Sequence, residues 1–168
     1  MIVSIKGGNM ISASLDMLEE SLIKKIDVMK KIEKENERQK ALLSDPNDVD
    51  EEAFDKILDD KGELIDQLLK LDDGFQTLFD QVKDEVGHNK DSFREQIRRM
   101  QELIKEITGM SASIEAAEHR NKKLAEEYFS AARKKMNYSR QTSAAAFNYY
   151  QTMNNFKDIP PQFLDNKN

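Results

Sequence analysis

The chain has 168 residues, 35% of them charged and 38% hydrophobic, with 6 Gly, 3 Pro, two His, no Cys and no Trp, and a net charge of −6. Without cysteine there is no disulfide framework and no thiolate metal site, and two histidines are too few for a His-rich metal centre. The acidic balance argues against a nucleic-acid binder, and the scarcity of Gly and Pro argues against an all-β fold or a glycine-rich phosphate loop.

No apolar run reaches the roughly 18 residues of a membrane span, and Met1-Ile-Val-Ser-Ile-Lys-Gly-Gly8 lacks the pattern of a signal peptide, so a cytoplasmic protein of one domain is expected. The charge is unevenly spread. Residues 1–88 carry 12 Lys/Arg against 22 Asp/Glu, residues 89–138 carry 11 against 8, and residues 139–168 carry 3 against 2. An acidic front half and a mildly basic back half can attract one another within or between chains.

Residues 1–9 are expected to be flexible, because Gly7-Gly8 disfavours an early helix. From Met10 the apolar residues Ile11, Leu15, Leu18, Leu22, Ile26, Met29 and Ile32 recur at steps of 3 and 4 and keep one stripe on one side of a helix. Glu and Lys fill the other positions. The spacing predicts a first helix over about 10–43, ended by Ser44-Asp45-Pro46-Asn47-Asp48, where Pro46 removes a backbone donor and restricts its predecessor.

Asp48 or Asp50 is placed to cap the second helix, with Glu51 and Glu52 against the positive end of its dipole. That helix is predicted over about 50–86, through Phe54, Leu58, Ile65, Leu68, Phe75, Phe79 and Val86, with Gly74 marking a kink or a close approach. Gly87-His88-Asn89 suits a helix end and a second reversal. The third helix is predicted from Asp91 or Ser92 as cap to about 138, with Phe93, Ile97, Met100, Ile104, Ile107, Ile114, Ala117, Leu124, Tyr128 and Ala131 as a heptad-like seam. At 1.5 Å per residue it would run roughly 70 Å against about 50 Å for the first, and so protrude beyond its partners. The expected fold class is therefore all-α: an antiparallel three-helix hairpin or coiled-coil bundle with a long third helix.

Residues 139–168 are a different material. They hold five charges but five of the twelve aromatic residues, Phe147, Tyr149, Tyr150, Phe156 and Phe163. Ala144-Ala-Ala-Phe147 can extend a helix, whereas Pro160-Pro161 forces an extended stretch. This conditionally ordered aromatic tail is expected either to fold back on the bundle or to contact a partner, since such side chains seek an apolar surface.

Chemical constellations are sparse. Glu115 and His119 share a helix face, but the second histidine, His88, lies in a predicted turn, which leaves no ligand set for a metal. The carboxylates Asp45, Asp48 and Asp50 lack the glycine and terminal Glu of a calcium loop and read as helix caps. No nucleophile has a plausible base, so no catalytic residue and no cofactor are expected. Arg98-Arg99, Lys122-Lys123 and Arg133-Lys134-Lys135 read as a solvated face paired with Glu95, Glu102, Glu126 and Glu127, or as a site for an acidic partner. Met29 and Met100 belong to the core, whereas Met110, Met136 and Met153 suit a partner surface.

The segment Glu37-Arg-Gln-Lys-Ala-Leu-Leu43, the short Asp-rich turn, Phe54-Asp-Lys-Ile-Leu58 and Asp60-Lys-Gly-Glu-Leu-Ile65 with Leu68 and Leu71 resemble the FlgN/FliT-type flagellar export chaperones over about residues 11–86. Asp73-Gly74-Phe75 departs from that pattern, as does the length of the aromatic tail. The resemblance implies a cytoplasmic type III secretion chaperone for a late flagellar axial protein, a hook-filament junction or filament cap protein, with export apparatus components as further partners. The thin Ala-rich seam is compatible with this. From Ala112 onward, with Ala117, Leu124, Tyr128, Ala131 and Met136, it is a candidate surface for an amphipathic client segment, joined by Phe147, Tyr149, Tyr150, Phe156 and Phe163 of the tail. The tail would lie in that groove when no client is present. The competing expectation is a structural coiled coil or helical adaptor that forms a homodimer through helix three.

Overall fold

A computed structural model describes residues 2–135 and 140–155 and places them in four helices: α1 (Ile2–Leu42), α2 (Glu51–His88), α3 (Arg94–Lys134) and α4 (Arg140–Asn155). There is no strand among the described residues. The protein is all-α, and its three long helices form a helical bundle.

Local chemistry explains the ends. After Leu42 the chain turns through an Asx turn, with Asp45 Oδ1 accepting from the Asn47 N–H at 3.0 Å. Asp50, and not Asp48, caps α2: its Oδ1 accepts from the Ala53 N–H at 3.1 Å, and Glu51 and Glu52 follow in the first turn. At the other end Asn89 Nδ2 donates to the Glu85 carbonyl at 2.7 Å, satisfying one of the open acceptors of the last turn. The Phe93 carbonyl accepts the first i→i+4 bond of α3, from Ile97 at 2.9 Å. Asp91 Oδ1 accepts from the Arg94 guanidinium at 2.9 Å.

Three expectations need correction. Helix α1 begins at Ile2, so Gly7-Gly8 lies within it instead of in a non-helical leader. Each glycine costs about 1 kcal/mol relative to alanine, a local penalty that a helix already nucleated downstream tolerates. As a result α1 and α3 are both 41 residues long and α2 is 38, so α3 is not the longer helix that a start at Met10 implied. Third, the helical pattern of α2 continues through Gly74, while the helix ends at His88, inside the expected Gly87-His88-Asn89 stop. Nothing lies within 4 Å of where a Cβ would sit on Gly74, so no close helix approach explains that glycine.

The chain divides into two compact units, and each long helix contributes to both. The first contains residues 2–27 and 67–109. Its core is built by Ile11, Leu15, Leu18 and Leu22 of α1, Leu68, Phe75 and Phe79 of α2, and Met100, Ile104 and Ile107 of α3. The stripes of α1 and α3 keep the 3-and-4 spacing that turns one helix face inward, and that of α2 follows at steps of 7 and 4. Lys25 is buried among them and its Nζ sits 2.6 Å from Asp72 Oδ1. On the rim, Arg99 reaches Glu19 at 2.9 Å and Gln96 reaches Asp16 at 2.7 Å, so α1 and α3 run parallel here. The Arg99 guanidinium holds the Glu19 carboxyl below its ordinary range.

The second unit contains residues 28–66 and 110–155 of the described chain. Met29, Ile32 and Leu43 of α1 and its end, Phe54, Leu58 and Ile65 of α2, and Ile114, Ala125 and Tyr128 of α3 are buried. Phe54 meets Tyr128 edge-on at 5.4 Å between ring centroids and Phe129 at 5.9 Å. Phe54 beside Tyr128 and Lys61 beside Glu118 place rising positions of α2 against falling positions of α3, the antiparallel sense.

Candidate functional site

The second unit buries polar side chains at positions where its heptads call for apolar ones. Along α2 its buried residues are Phe54, Leu58, Lys61 and Ile65, at steps of 4, 3 and 4; along α3 they are Ile114, Glu118, Asn121, Ala125 and Tyr128, at steps of 4, 3, 4 and 3. On α1 the stripe passes from Ile32 through Glu35, Asn36 and Gln39 to Leu43. One side chain from each of three helices therefore meets at a single polar centre: Gln39, Lys61 and Glu118.

Lys61 is completely enclosed, with 0% exposure. Its Nζ donates to Gln39 Oε1 at 2.8 Å, lies 2.7 Å from Glu118 Oε1, and stands 4.4 Å over the Tyr149 ring of α4. The Tyr149 hydroxyl donates to the same Glu118 oxygen at 2.7 Å. Gln39 Nε2 donates to the Tyr150 hydroxyl at 3.3 Å. Asn121 Nδ2 donates to the Asn36 carbonyl at 2.9 Å and to Gln39 Oε1 at 3.2 Å, and Arg120 Nε donates to Asn121 Oδ1 at 3.1 Å. Buried polar groups are expensive unless bonded, and this network bonds most of its members. It does not bond all of them: Glu118 Oε2, Glu35 Oε2 and both side-chain amide atoms of Asn36 are buried without a hydrogen-bond partner.

Burial sets the electrostatics. Removal from water lowers the Lys61 ammonium to about 8, against the opposing pull of Glu118 and the weaker pull of Glu35. Burial next to the Glu118 carboxylate pushes the Tyr149 phenol well up, and burial with the same carboxylate raises Tyr150. Both phenols are therefore neutral donors or acceptors at neutral pH. An ammonium with no exposed surface has no path to a substrate, so the arrangement suits joining helices.

The residues expected to contact a partner separate into groups. Tyr149 and Tyr150 are brought to the polar centre, and Tyr128 is part of the aromatic core. Ala117, Leu124 and Ala131 are half-buried, Ala112 is exposed, and Phe147 is 68% exposed on the outer side of α4. Ala131 borders an open depression of roughly 450 Å³ with Pro46, Asn47, Ser130 and Lys134, at whose edge Lys135 donates to the Asn47 carbonyl at 2.7 Å. Met110 and Met153 are half-buried; Met136, Phe156 and Phe163 lie outside the described residues. The tail is helical over α4, consistent with a chain that folds back through its aromatic residues.

The heptad itself holds the signal that sequence reasoning missed. The expected seam stepped from Ile114 to Ala117 and Leu124, whereas the buried one steps to Glu118, Asn121 and Ala125. Glu115 and His119 are exposed, and among the described residues no group of three or more His, Cys, Asp or Glu is placed to hold a metal ion. No protein-family model, no curated protein and no solved structure matches the chain.

Proposed function

We propose that the chain is a helix-binding chaperone without catalytic activity or cofactor, acting in the cytoplasm on an unfolded or helical segment of a flagellar export substrate. The observation that carries this reading is the seating of α4: a short amphipathic helix held by Tyr149 and Tyr150 on a centre assembled from α1, α2 and α3. A scaffold that seats one such helix offers the geometry for another, and helix-in-groove recognition uses this kind of amphipathic match. The sequence resemblance over residues 11–86 supports the client class, a hook-filament junction or filament cap protein, held back from assembly until export, with export apparatus components as later partners. When no client is bound, the tail occupies the client's place.

Mixing the purified chain with such an axial protein tests the reading. A 1:1 complex is expected by size-exclusion chromatography with light scattering, and removal of residues 139–168 is expected to change client affinity. Independent elution of the two proteins would overturn it. A second reading is a self-associating helical protein. It is favoured by Met10 and Met17, one heptad apart on α1 and 71% and 60% exposed. A client-independent dimer in sedimentation would support it.

A further inference from the structure

Among residues 145–153 of α4, Ala146 and Tyr149 are buried, Ala145, Tyr150 and Met153 are half-buried, and Phe147 is exposed. Sixteen residues make a helix that is marginal in water by itself, so docking sustains it. Two phenol hydroxyls and one ring contribute to that docking: Tyr149 donates to Glu118, Tyr150 accepts from Gln39, and the Tyr149 face lies beneath Lys61. The same centre keeps hydrogen-bonding capacity that α4 leaves unused, at Glu118 Oε2, Glu35 Oε2 and the Asn36 amide. A helix bearing a phenol at the Tyr149 position, with a further donor directed at the Glu118, Glu35 or Asn36 oxygens or an acceptor directed at Asn36 Nδ2, satisfies more of the centre than α4 does.

From this geometry we infer that the Gln39–Lys61–Glu118 cluster is a recognition socket for an amphipathic helix that presents a tyrosine hydroxyl, with α4 as its resident occupant. The inference rests on the chaperone reading for its view of the client as a helix, and it specifies that helix's chemistry. Phenylalanine in place of the tyrosine keeps the ring beneath Lys61 but removes a donor to a buried carboxylate. Hydrogen bonds to charged groups of this kind are worth roughly ten- to a hundredfold in affinity.

The test uses the full chain carrying Tyr149→Ala and Tyr150→Ala, which weakens the resident helix, and a fluorescein-labelled synthetic peptide of residues 140–155. By fluorescence anisotropy this peptide is expected to bind the variant at least tenfold tighter than it binds the unsubstituted chain. It is also expected to bind at least tenfold tighter than the same peptide with Tyr149→Phe, and Glu118→Gln in the same background is expected to narrow that preference. Equal affinity of the two peptides, or binding of neither to a variant with full helical circular dichroism, would overturn the inference. If the variant does not fold, hydrogen exchange on the unsubstituted chain decides: excess tyrosine peptide should strip protection from the amides of α4, and the phenylalanine peptide should not. An equal response to both sinks the idea. Tyrosine-selective binding without capture of any flagellar axial protein would refute the chaperone reading and leave the socket standing; capture of a client that is insensitive to its own Tyr→Phe changes would do the reverse.

Discussion

Lys61 on α2 and Glu118 on α3 form an ion pair at 2.7 Å with 0% and 8% of their side chains exposed. Such pairs are costly to break from one side, because the surviving charge stays buried without its partner. Lys61→Met is therefore expected to destabilise the protein by about 3–5 kcal/mol, read as a lower urea midpoint. Adding Glu118→Leu to that variant should recover most of the loss, because two apolar side chains suit the heptad positions that the pair occupies. If the double variant is no more stable than the single one, the pair is not coupled as described.

The same lysine gives stability a pH dependence. Its folded value is about 8, below the ordinary 10.5, so between those two values the unfolded chain binds more protons than the folded one. This contribution is fully present above 10.5 and is lost as pH falls through 8. The Tyr149 phenol works in the opposite sense at higher pH, since above about 10 only the unfolded chain releases its proton. The urea midpoint should therefore rise from pH 7.5 to pH 9.5 in the unsubstituted protein relative to Lys61→Met. Parallel profiles for the two proteins would show that Lys61 does not titrate in this window.

Two phenylalanines of the second unit should respond very differently to truncation. Phe54 is fully buried between Tyr128 and Phe129, and Phe54→Ala is expected to cost about 3–5 kcal/mol through the lost burial and the cavity left behind. Phe147 points outward from α4, and Phe147→Ala should change stability by no more than about 0.5 kcal/mol. Chemical denaturation of both variants checks the pair.

The start of α2 separates two neighbouring aspartates. Asp50→Ala removes the acceptor for the Ala53 N–H and should cost about 1 kcal/mol, while exposed Asp48→Ala should leave thermal stability nearly unchanged. Equal losses would mean that charge near the helix end, and not the cap itself, is what matters.

These residues also show which parts of the molecule are readable from the chain. Apolar residues at steps of 3 and 4 announce a helix and its inner face wherever the inner residues are apolar, as in Leu15, Leu18 and Leu22 or in Phe75 and Phe79. Where the inner residue is Lys61, Glu118 or Asn121, hydropathy assigns it to solvent and the seam is moved onto Ala117 and Leu124. The burial of Lys61 is decided by partners 22 and 57 residues away, Gln39 and Glu118, which no local pattern connects. The cue that survives in the sequence is rhythm: Phe54, Leu58, Ile65 and Leu68 leave one beat open, and Lys61 stands on it. Gly7-Gly8 shows the opposite error, a true local penalty that a long helix overrides.

Residue order adds a consequence in time. A ribosome delivers Gln39, Lys61 and Glu118 well before Tyr149, so during synthesis the three long helices can assemble while the last donor to Glu118 is still inside the exit tunnel. For that interval Lys61 meets the carboxylate without the Tyr149 hydroxyl, and the first phenol to arrive, from this chain or from another, can take the place beside it.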